Sequence, residues 1–193
     1  MEEKLFPEAE FVAQLATQDG VPASGVITGL VAGLAASLLA AAADRSRDAW
    51  PGAAGAVAQA QALCRRAHAL AQDNSTAYHD ARAALAEQGP PGQGSPQRDW
   101  SLGRAVAAAA DPPLALARTA DDVAQLARAL AGHGAPDVRA DVVAAAQLAA
   151  GAAASAAHLV EVNLVVGADQ ERTGLARRHA RAAAEAAQAA ADA

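Results

Sequence analysis

The chain has 193 residues, enough for one domain with a full hydrophobic core. Alanine accounts for 62 of them and only five are aromatic, a composition too poor in aromatic and β-branched side chains for a sheet protein. Alanine loses no side-chain entropy in a helix and lets helices pack closely. The formal net charge of −6 argues against non-specific nucleic-acid binding. The composition therefore predicts an all-α protein that does not bind nucleic acid.

The expected location follows from the cysteine content and the apolar segments. Cys64 is alone, which excludes an internal disulfide and fits a reducing cytoplasm. The first residues, Met-Glu-Glu-Lys, lack the basic start and apolar core of a signal peptide. Residues 25–43 carry no charge and approach the length of a membrane span, but Ala and Gly insert weakly compared with Leu. We therefore expect a cytoplasmic protein in which this segment is a buried helix.

Hydrophobic periodicity predicts an antiparallel bundle of five or six long helices in a single domain, residues 1–193. The predicted helices cover residues 7–16, 25–45, 53–87, 100–111, 114–130 and 137–166, and an Ala/Arg-rich segment follows. Loops are expected at Gly89–Pro96 and Gly132–Pro136, and Pro112-Pro113 is expected to interrupt a helix. Because the last segment has almost no large apolar side chain, we expect a C-terminal helix at 168–193 that packs loosely or packs only in an oligomer.

Pro22 begins a turn of small residues that leads into an uncharged helix. Gly25, Gly29, Gly33 and Ser37 recur every fourth residue and line one side of that helix. Such a stripe lets another backbone approach closely, although each glycine costs about 1 kcal/mol of helix propensity. A helix start also presents free backbone N–H groups that suit an anionic or carbonyl oxygen. The segment is therefore expected both to pack tightly and to form part of a site.

Several short motifs follow one another in a recognisable order. They are Phe11-Val-Ala-Gln-Leu15, Pro22 to Leu38, Asp73-Asn-Ser-Thr-Ala-Tyr78, Ala108 to Leu114, Asp141-Val-Val-Ala-Ala and Val162-Asn-Leu164. This order resembles the cyclodeaminase/cyclohydrolase family, which includes the cyclodeaminase domain of formiminotransferase-cyclodeaminase and methenyltetrahydrofolate cyclohydrolase. The resemblance covers about residues 8–166. It implies a helical-bundle enzyme that acts on a small molecule, requires no cofactor and forms a homodimer or higher homo-oligomer.

The resemblance also implies a pocket between helices, formed by two sets of residues. The candidate catalytic residues are Asp73, Tyr78, His79 and Asp141. The candidate substrate-binding residues are Pro22, Ser24, Gly25, Asn74 and Asn163. No metal ligands are expected, because the five histidines include no i, i+4 pair and there is no cysteine cluster.

Simpler roles remain open for these residues. Asp141 is also suited to the first turn of a helix, where a carboxylate interacts favourably with the helix dipole. Ser24 is also suited to a helix cap, and His79 to a structural role. Asn163, in an apolar run, must find partners, either in another helix or in a ligand.

The sequence departs from the family pattern in its polar residues. Of the family's Pro-Gly-Gly-Gly-Ser loop, only Pro22 and Gly25 remain in register, and Asn74 replaces the second acid of the acidic pair. Hydrolysis or ammonia release at an amidine-type carbon needs a general base, which an amide cannot supply. Asp73 points about 100° away around the helix and cannot simply substitute.

These departures favour a diverged enzyme that acts on a non-folate substrate in specialised bacterial metabolism, by cyclisation or by addition or elimination at an imine- or amidine-type carbon. Two alternatives remain open. One is a methenyltetrahydrofolate cyclohydrolase or formimino-folate cyclodeaminase, with a tetrahydrofolate derivative as substrate. The other is a non-catalytic binding or scaffold protein.

Overall fold

The computed structural model describes residues 23–86, 96–164 and 169–193, and over these residues the chain is helical, with no strand. Within these ranges lie six α-helices, namely α1 (Ala23–Arg45), α2 (Ala53–Ala86), α3 (Pro96–Ala108), α4 (Asp111–His133), α5 (Arg139–Leu164) and α6 (Gln170–Asp192), with a 3₁₀ helix at Pro136–Val138. The predicted all-α bundle is therefore confirmed. The expected helix at residues 7–16, Pro22 and the expected loop up to residue 95 lie outside the described residues.

The centre of the bundle is formed by α1, α4 and α5, which contact one another. Helix α2 covers α1 and α4 on one side, α6 covers α4 and α5 on the other, and α3 contacts α2. The core is built mostly from alanine, with few larger side chains. The largest fully buried apolar ones include Leu39, Leu116, Val123, Leu130, Val142 and Val160. Small side chains at these interfaces allow the helix axes to approach closely.

The stripe of small residues on α1 faces α2, and the close approach of another helix that the sequence predicts is confirmed. A Cβ added at Gly29 would lie 2.7 Å from Ala71 Cβ, and one added at Gly33 would lie 2.6 Å from His68 Nε2. At the end of the stripe, the hydroxyl of Ser37 lies 3.2 Å from the sulfur of Cys64. The contacts pair later residues of α1 with earlier residues of α2, so the two helices run antiparallel.

The chain breaks between helices differ in detail from those expected. Pro112 and Pro113 do not interrupt a helix but occupy the first turn of α4, where their missing N–H groups cost nothing. The break falls before them, at residues 109–110. At the other end of α4, the chain leaves the helix at Gly134, whose N–H donates to the Leu130 carbonyl over 2.7 Å.

A buried serine connects this break to the turn after α1. The Ser46 hydroxyl donates to the Ala42 carbonyl over 2.8 Å and accepts from the Ala135 N–H over 3.0 Å. The hydroxyl of this fully buried side chain thus both donates and accepts a hydrogen bond. The serine fixes the turn after α1 against the segment that leads into α5.

The C-terminal helix differs from the expectation of loose packing. Helix α6 lies against α4 and α5 and buries a row of alanines, namely Ala176, Ala183, Ala186, Ala187 and Ala190. A half-buried polar contact adds to this interface, since His179 Nδ1 lies 2.9 Å from Asp121 Oδ2. Large apolar side chains are not needed here because the helices approach closely enough for alanine to fill the space.

Two helical segments are apolar and long enough to cross a membrane by length and composition alone, Ser24–Arg45 and Pro136–Leu164. The most apolar part of each is 50% and 44% buried within the bundle. Core helices of soluble proteins pass the same test, and these two segments pack against each other in the bundle. Their buried halves belong to the hydrophobic core.

Candidate functional site

Ion pairs between α1 and the start of α5 fix the direction of these helices. Arg45, in the last turn of α1, bonds the Asp137 carboxylate over 2.5 Å and lies 3.7 Å from Asp141. Because α1 ends where α5 begins, the two helices run antiparallel, and the C-terminus of α5 lies near the N-terminus of α1. We call the end with the first turn of α1 the Ser24 end, and the end with these ion pairs the Arg45 end.

Three of the predicted site residues meet at the Ser24 end, where α1 crosses α2. Asn74 is 8% exposed, and its amide lies where a side chain of Gly25 would otherwise be. Only glycine leaves space for this amide. Ser24, next in the chain, is exposed, and its carbonyl accepts a bond from the Thr28 hydroxyl over 2.7 Å. A buried amide beside a helix N-terminus provides both donor and acceptor groups.

Tyr78 and His79 follow one turn beyond Asn74. Tyr78 shares the helix face of Asn74 by its i, i+4 spacing and is 39% exposed. Its ring lies 6.1 Å from the His79 ring in an edge-to-face arrangement, and the Arg82 guanidinium lies 5.9 Å from its centroid. The Ser24 end therefore combines a buried amide with a phenol and an imidazole that solvent can reach.

Asp73 belongs to a different face of α2. It is exposed and shares a helix side with Ala77 and Asp80, which line a cleft of about 380 Å³ between α2 and α3. Trp100, Ser101 and Arg104 form much of the opposite wall. The structure therefore separates Asp73 from Asn74, which faces α1.

Asn163 contacts another helix boundary at the Ser24 end. Its Nδ2 donates to the Ala109 carbonyl over 2.8 Å, in the break between α3 and α4. Of the two roles that the sequence leaves open, the structure shows the interhelical one. Asn163 holds the start of α4 against the end of α5.

A second polar contact fixes the same region. Arg172, in α6, donates to Asp169, to Asp111 at the start of α4 and to the Ala107 carbonyl at the end of α3. Two hydrogen bonds from Arg172 lower the pKa of Asp169. The larger effect comes from the Arg172 backbone N–H and the smaller from its guanidinium. The bond to Asp169 likewise raises the pKa of Arg172. This ion pair caps α6 and ties three helices together.

Asp141 does not join the other site candidates within one chain. It lies at the Arg45 end, and Gly25 and Arg45, 20 positions apart in α1, are separated by about 30 Å. Asp141 occupies the first turn of α5, as its structural alternative predicts, and pairs with Arg45 rather than capping the helix. In a single copy of the chain, the Asp141 carboxylate is therefore too far from the Ser24 end to act there.

Sequence reasoning missed the side chains that line the α2–α3 cleft. Trp100 and Arg104 lie four positions apart, a spacing that places both on one helix face, and the guanidinium lies 4.7 Å from the indole centroid. Asp80 follows Asp73 by seven residues and so shares its face. These spacings could have indicated the cleft, but nothing in the sequence shows that α3 packs opposite Asp80.

Over the described ranges, no three His, Cys, Asp or Glu side chains lie close enough together to hold a metal ion. The polar groups at the Ser24 end are instead an amide, a phenol, an imidazole and backbone N–H groups. Such groups can bind a polar small molecule and move protons.

The fold and the site define an antiparallel helical bundle with polar groups gathered between helices at one end. The family model described as formiminotransferase-cyclodeaminase matches residues 7–183. The chain therefore belongs to the formiminotransferase-cyclodeaminase family, as the order of its motifs predicted.

Comparison with solved structures agrees on the fold. Six chains match, among them formiminotetrahydrofolate cyclodeaminase from Thermotoga maritima. That structure superposes with a TM-score of 0.82 at 20% identity, over 95% of this chain and 92% of that chain. At this identity the likeness establishes the helical-bundle fold. A sequence search finds no match among curated proteins.

Proposed function

We propose that the protein is an enzyme that adds to, or eliminates from, an imine- or amidine-type carbon of a small molecule bound at the Ser24 end. Membership of a cyclodeaminase family supports this class of reaction. When a ring closes with loss of ammonia, the nitrogen that attacks the amidine-type carbon loses a proton and the nitrogen that leaves it gains one. Tyr78 and His79 are exposed groups able to transfer them, and Asn74 is placed to orient the substrate.

Buried Asn74 is the observation that carries the choice of substrate. A carboxylate at this position would stabilise a cationic folate bridge and could act as a base, whereas a neutral amide does neither. Asp73 faces away, toward α3, and Asp141 lies at the opposite end of α1. We therefore propose a non-folate amidine or imine substrate, with a role in specialised metabolism.

The test is a pair of assays on the purified protein. Formiminotetrahydrofolate is assayed by ammonia release and methenyltetrahydrofolate by loss of its absorbance, beside a panel of small N-formimino compounds. We expect no folate turnover and ammonia release from at least one small compound. Asn74→Ala should lower that turnover roughly a hundredfold, the loss typical of one positioned polar group. Gln72→Ala, an exposed amide truncation on α2, should leave it unchanged.

Each contrary result identifies an alternative. Turnover of either folate by the wild type would make the protein a folate cyclodeaminase or cyclohydrolase whose polar residues have drifted. Turnover of no compound by a folded wild type would favour a binding or scaffold protein of the same fold. Full activity of a folded Asn74→Ala variant would remove Asn74 from the site.

We also propose that the chain forms a homodimer through α1 and α5. Residues 25–43 and 142–157 carry no charge, yet Leu34 is 64% and Leu148 45% exposed. An uncharged face spanning two adjoining helices is typical of an interface. A two-fold axis perpendicular to α1 would bring the Arg45 end of one copy, with Asp141, beside the Ser24 end of the other. The missing carboxylate could then come from the second copy.

We propose a cytoplasmic enzyme, which the single cysteine supports because a reducing compartment leaves it unoxidised. We further propose that proton transfer by side chains is sufficient, so that no cofactor is required. Activity that survives dialysis against a chelator would support this proposal.

A further inference from the structure

The α2–α3 cleft, which carries a charged side chain on each wall, lies on the side of α2 that faces away from α1. It has a volume of about 380 Å³ and is lined by Ala77 and Asp80 of α2 and by residues of α3 that include Trp100, Ser101 and Arg104. This volume is near the lower limit of about 300 Å³ for small-molecule sites. The cleft is therefore suited to a small metabolite.

The cleft has an anion receptor on one wall. The Arg104 guanidinium lies 4.7 Å from the centroid of the Trp100 ring, and this indole is 62% exposed. Stacking on an indole restricts a guanidinium while leaving its N–H groups available at the edge. A restricted guanidinium binds a carboxylate through two parallel hydrogen bonds.

The opposite wall supplies a carboxylate. Asp80 lines the same cleft as Arg104, but the two side chains do not form an ion pair with each other, since their charged atoms are more than 4.0 Å apart. Opposite charges that face one open cleft without pairing leave room for a ligand that carries both complementary charges. Ser101 adds a hydroxyl, and alanines supply a small apolar surface.

We propose that the α2–α3 cleft binds a small zwitterion, with its carboxylate on Arg104 and its planar cationic nitrogen group on Asp80. A compound with only one charge would leave either Arg104 or Asp80 unpaired and would bind less tightly. This inference goes beyond the proposed function and does not depend on it, because the cleft and the Asn74 site lie on different faces of α2.

The experiment measures binding directly in the full chain carrying Trp50→Phe, which leaves Trp100 as the sole tryptophan. Guanidinoacetate is the zwitterionic probe. N-acetylglycine carries only the carboxylate and methylguanidine only the cation. We expect a saturable change of Trp100 fluorescence with guanidinoacetate, and binding weaker by about tenfold or more for the other two, the effect of one lost charge-assisted hydrogen bond.

Two variants in the cleft test whether Arg104 and Asp80 recognise the charges of the probe. Arg104→Gln should abolish the preference for guanidinoacetate over methylguanidine, and Asp80→Asn should abolish the preference over N-acetylglycine. Arg128→Gln and Asp48→Asn, the same changes at exposed positions outside the cleft, should keep both preferences.

The proposal is overturned by three results. They are no saturable change with guanidinoacetate, equal affinity for all three probes, or unaltered preferences in both cleft variants with their helical circular dichroism intact. Binding without turnover of any amidine would refute the proposed reaction and leave the cleft standing. Turnover of an amidine without binding of guanidinoacetate would refute the proposed cleft and leave the proposed reaction standing.

Discussion

Along the α1–α2 interface, each glycine of α1 lies opposite a group of α2 that occupies the space of a side chain. Opposite Gly25 this group is the Asn74 amide, and opposite Gly29 it is the backbone and Cβ of Ala71. The two contacts differ in what can move. A side-chain amide can rotate away, whereas a helix backbone moves only if the whole helix shifts.

Gly29→Ala should therefore destabilise the protein despite the better helix propensity of alanine. The new Cβ would lie 2.7 Å from Ala71 Cβ and 3.0 Å from the Ala67 carbonyl oxygen. Overpacking of this kind costs about 1–3 kcal/mol, more than the roughly 1 kcal/mol gained in propensity. The free energy of unfolding in urea measures the change. Gly55→Ala, in α2 and outside the proposed dimer face, is the control, because its Cβ would meet open space, and it should stabilise. Equal effects of the two substitutions would contradict close packing at Gly29.

The Asp169–Arg172 ion pair makes a pH-dependent contribution to stability. The Arg172 N–H and guanidinium hold the pKa of Asp169 below its ordinary value of 3.8. A carboxylate whose pKa is lower in the folded state stabilises that state above the unfolded pKa, and this contribution is lost as pH falls through the folded pKa. Asp169→Asn keeps a capping group and removes the charge.

The free energy of unfolding of the wild type should exceed that of Asp169→Asn at neutral pH. The difference should shrink as pH falls below about 3.8. Glu185→Gln, an exposed neutralisation on α6, should show a smaller pH-dependent difference. Chemical denaturation of the three proteins between neutral and acidic pH measures these differences. A wild-type advantage that does not change with pH would mean that the charge of Asp169 is not responsible.

At the scale of elements, the helices could be predicted because alanine and leucine periodicity directly reflects burial. Leu116, Val123, Leu126 and Leu130 recur at helical spacing in the sequence, and all four are buried in α4. The packing of α6 could not be predicted in this way. A helix with little but alanine has a weak apolar pattern, so the sequence does not show how closely its neighbours approach.

The buried alanines of α6 lead to a prediction about this packing. Ala183 is fully buried and Ala184, the next residue, is exposed. Ala183→Leu should destabilise by about 1–3 kcal/mol because the close interface cannot accept the larger side chain. Ala184→Leu should change stability by less than about 0.5 kcal/mol. Thermal and urea unfolding of both variants measure the contrast. If the two variants have the same stability, α6 is as loosely packed as its sequence suggests.

The molecule as a whole explains why the candidate site could be predicted only in part. Gly25, Asn74 and Tyr78 belong together because α1 and α2 are joined by a short turn and pack antiparallel, which the sequence indicates. The position of Asp141 depends on the direction of α5 relative to α1, and the order of the motifs along the chain does not determine that direction. The α2–α3 cleft likewise depends on which helix faces Asp80.

The proposed homodimer accounts for both the exposed apolar face and the distance of Asp141 from Asn74. We expect a dimer in sedimentation equilibrium and light scattering. Leu34→Glu and Leu148→Glu should each give monomers, because a charge buried in an apolar interface is strongly unfavourable. Leu85→Glu is the control, since Leu85 is 54% exposed on α2, outside the proposed face, and should leave the dimer intact.

The same variants test whether the second copy completes the site. If Asp141 acts on the substrate of the partner copy, the monomeric Leu34→Glu variant should lose turnover while keeping its helical circular dichroism. Mixing two inactive variants, Asn74→Ala and Asp141→Ala, should restore part of the activity, because a mixed dimer with both changes in one of its two sites has an intact second site. A dimeric wild type whose mixed variants stay inactive would show that Asp141 does not act on the substrate of the partner copy. Full turnover by the Asp141→Ala variant alone would show that Asp141 only pairs with Arg45.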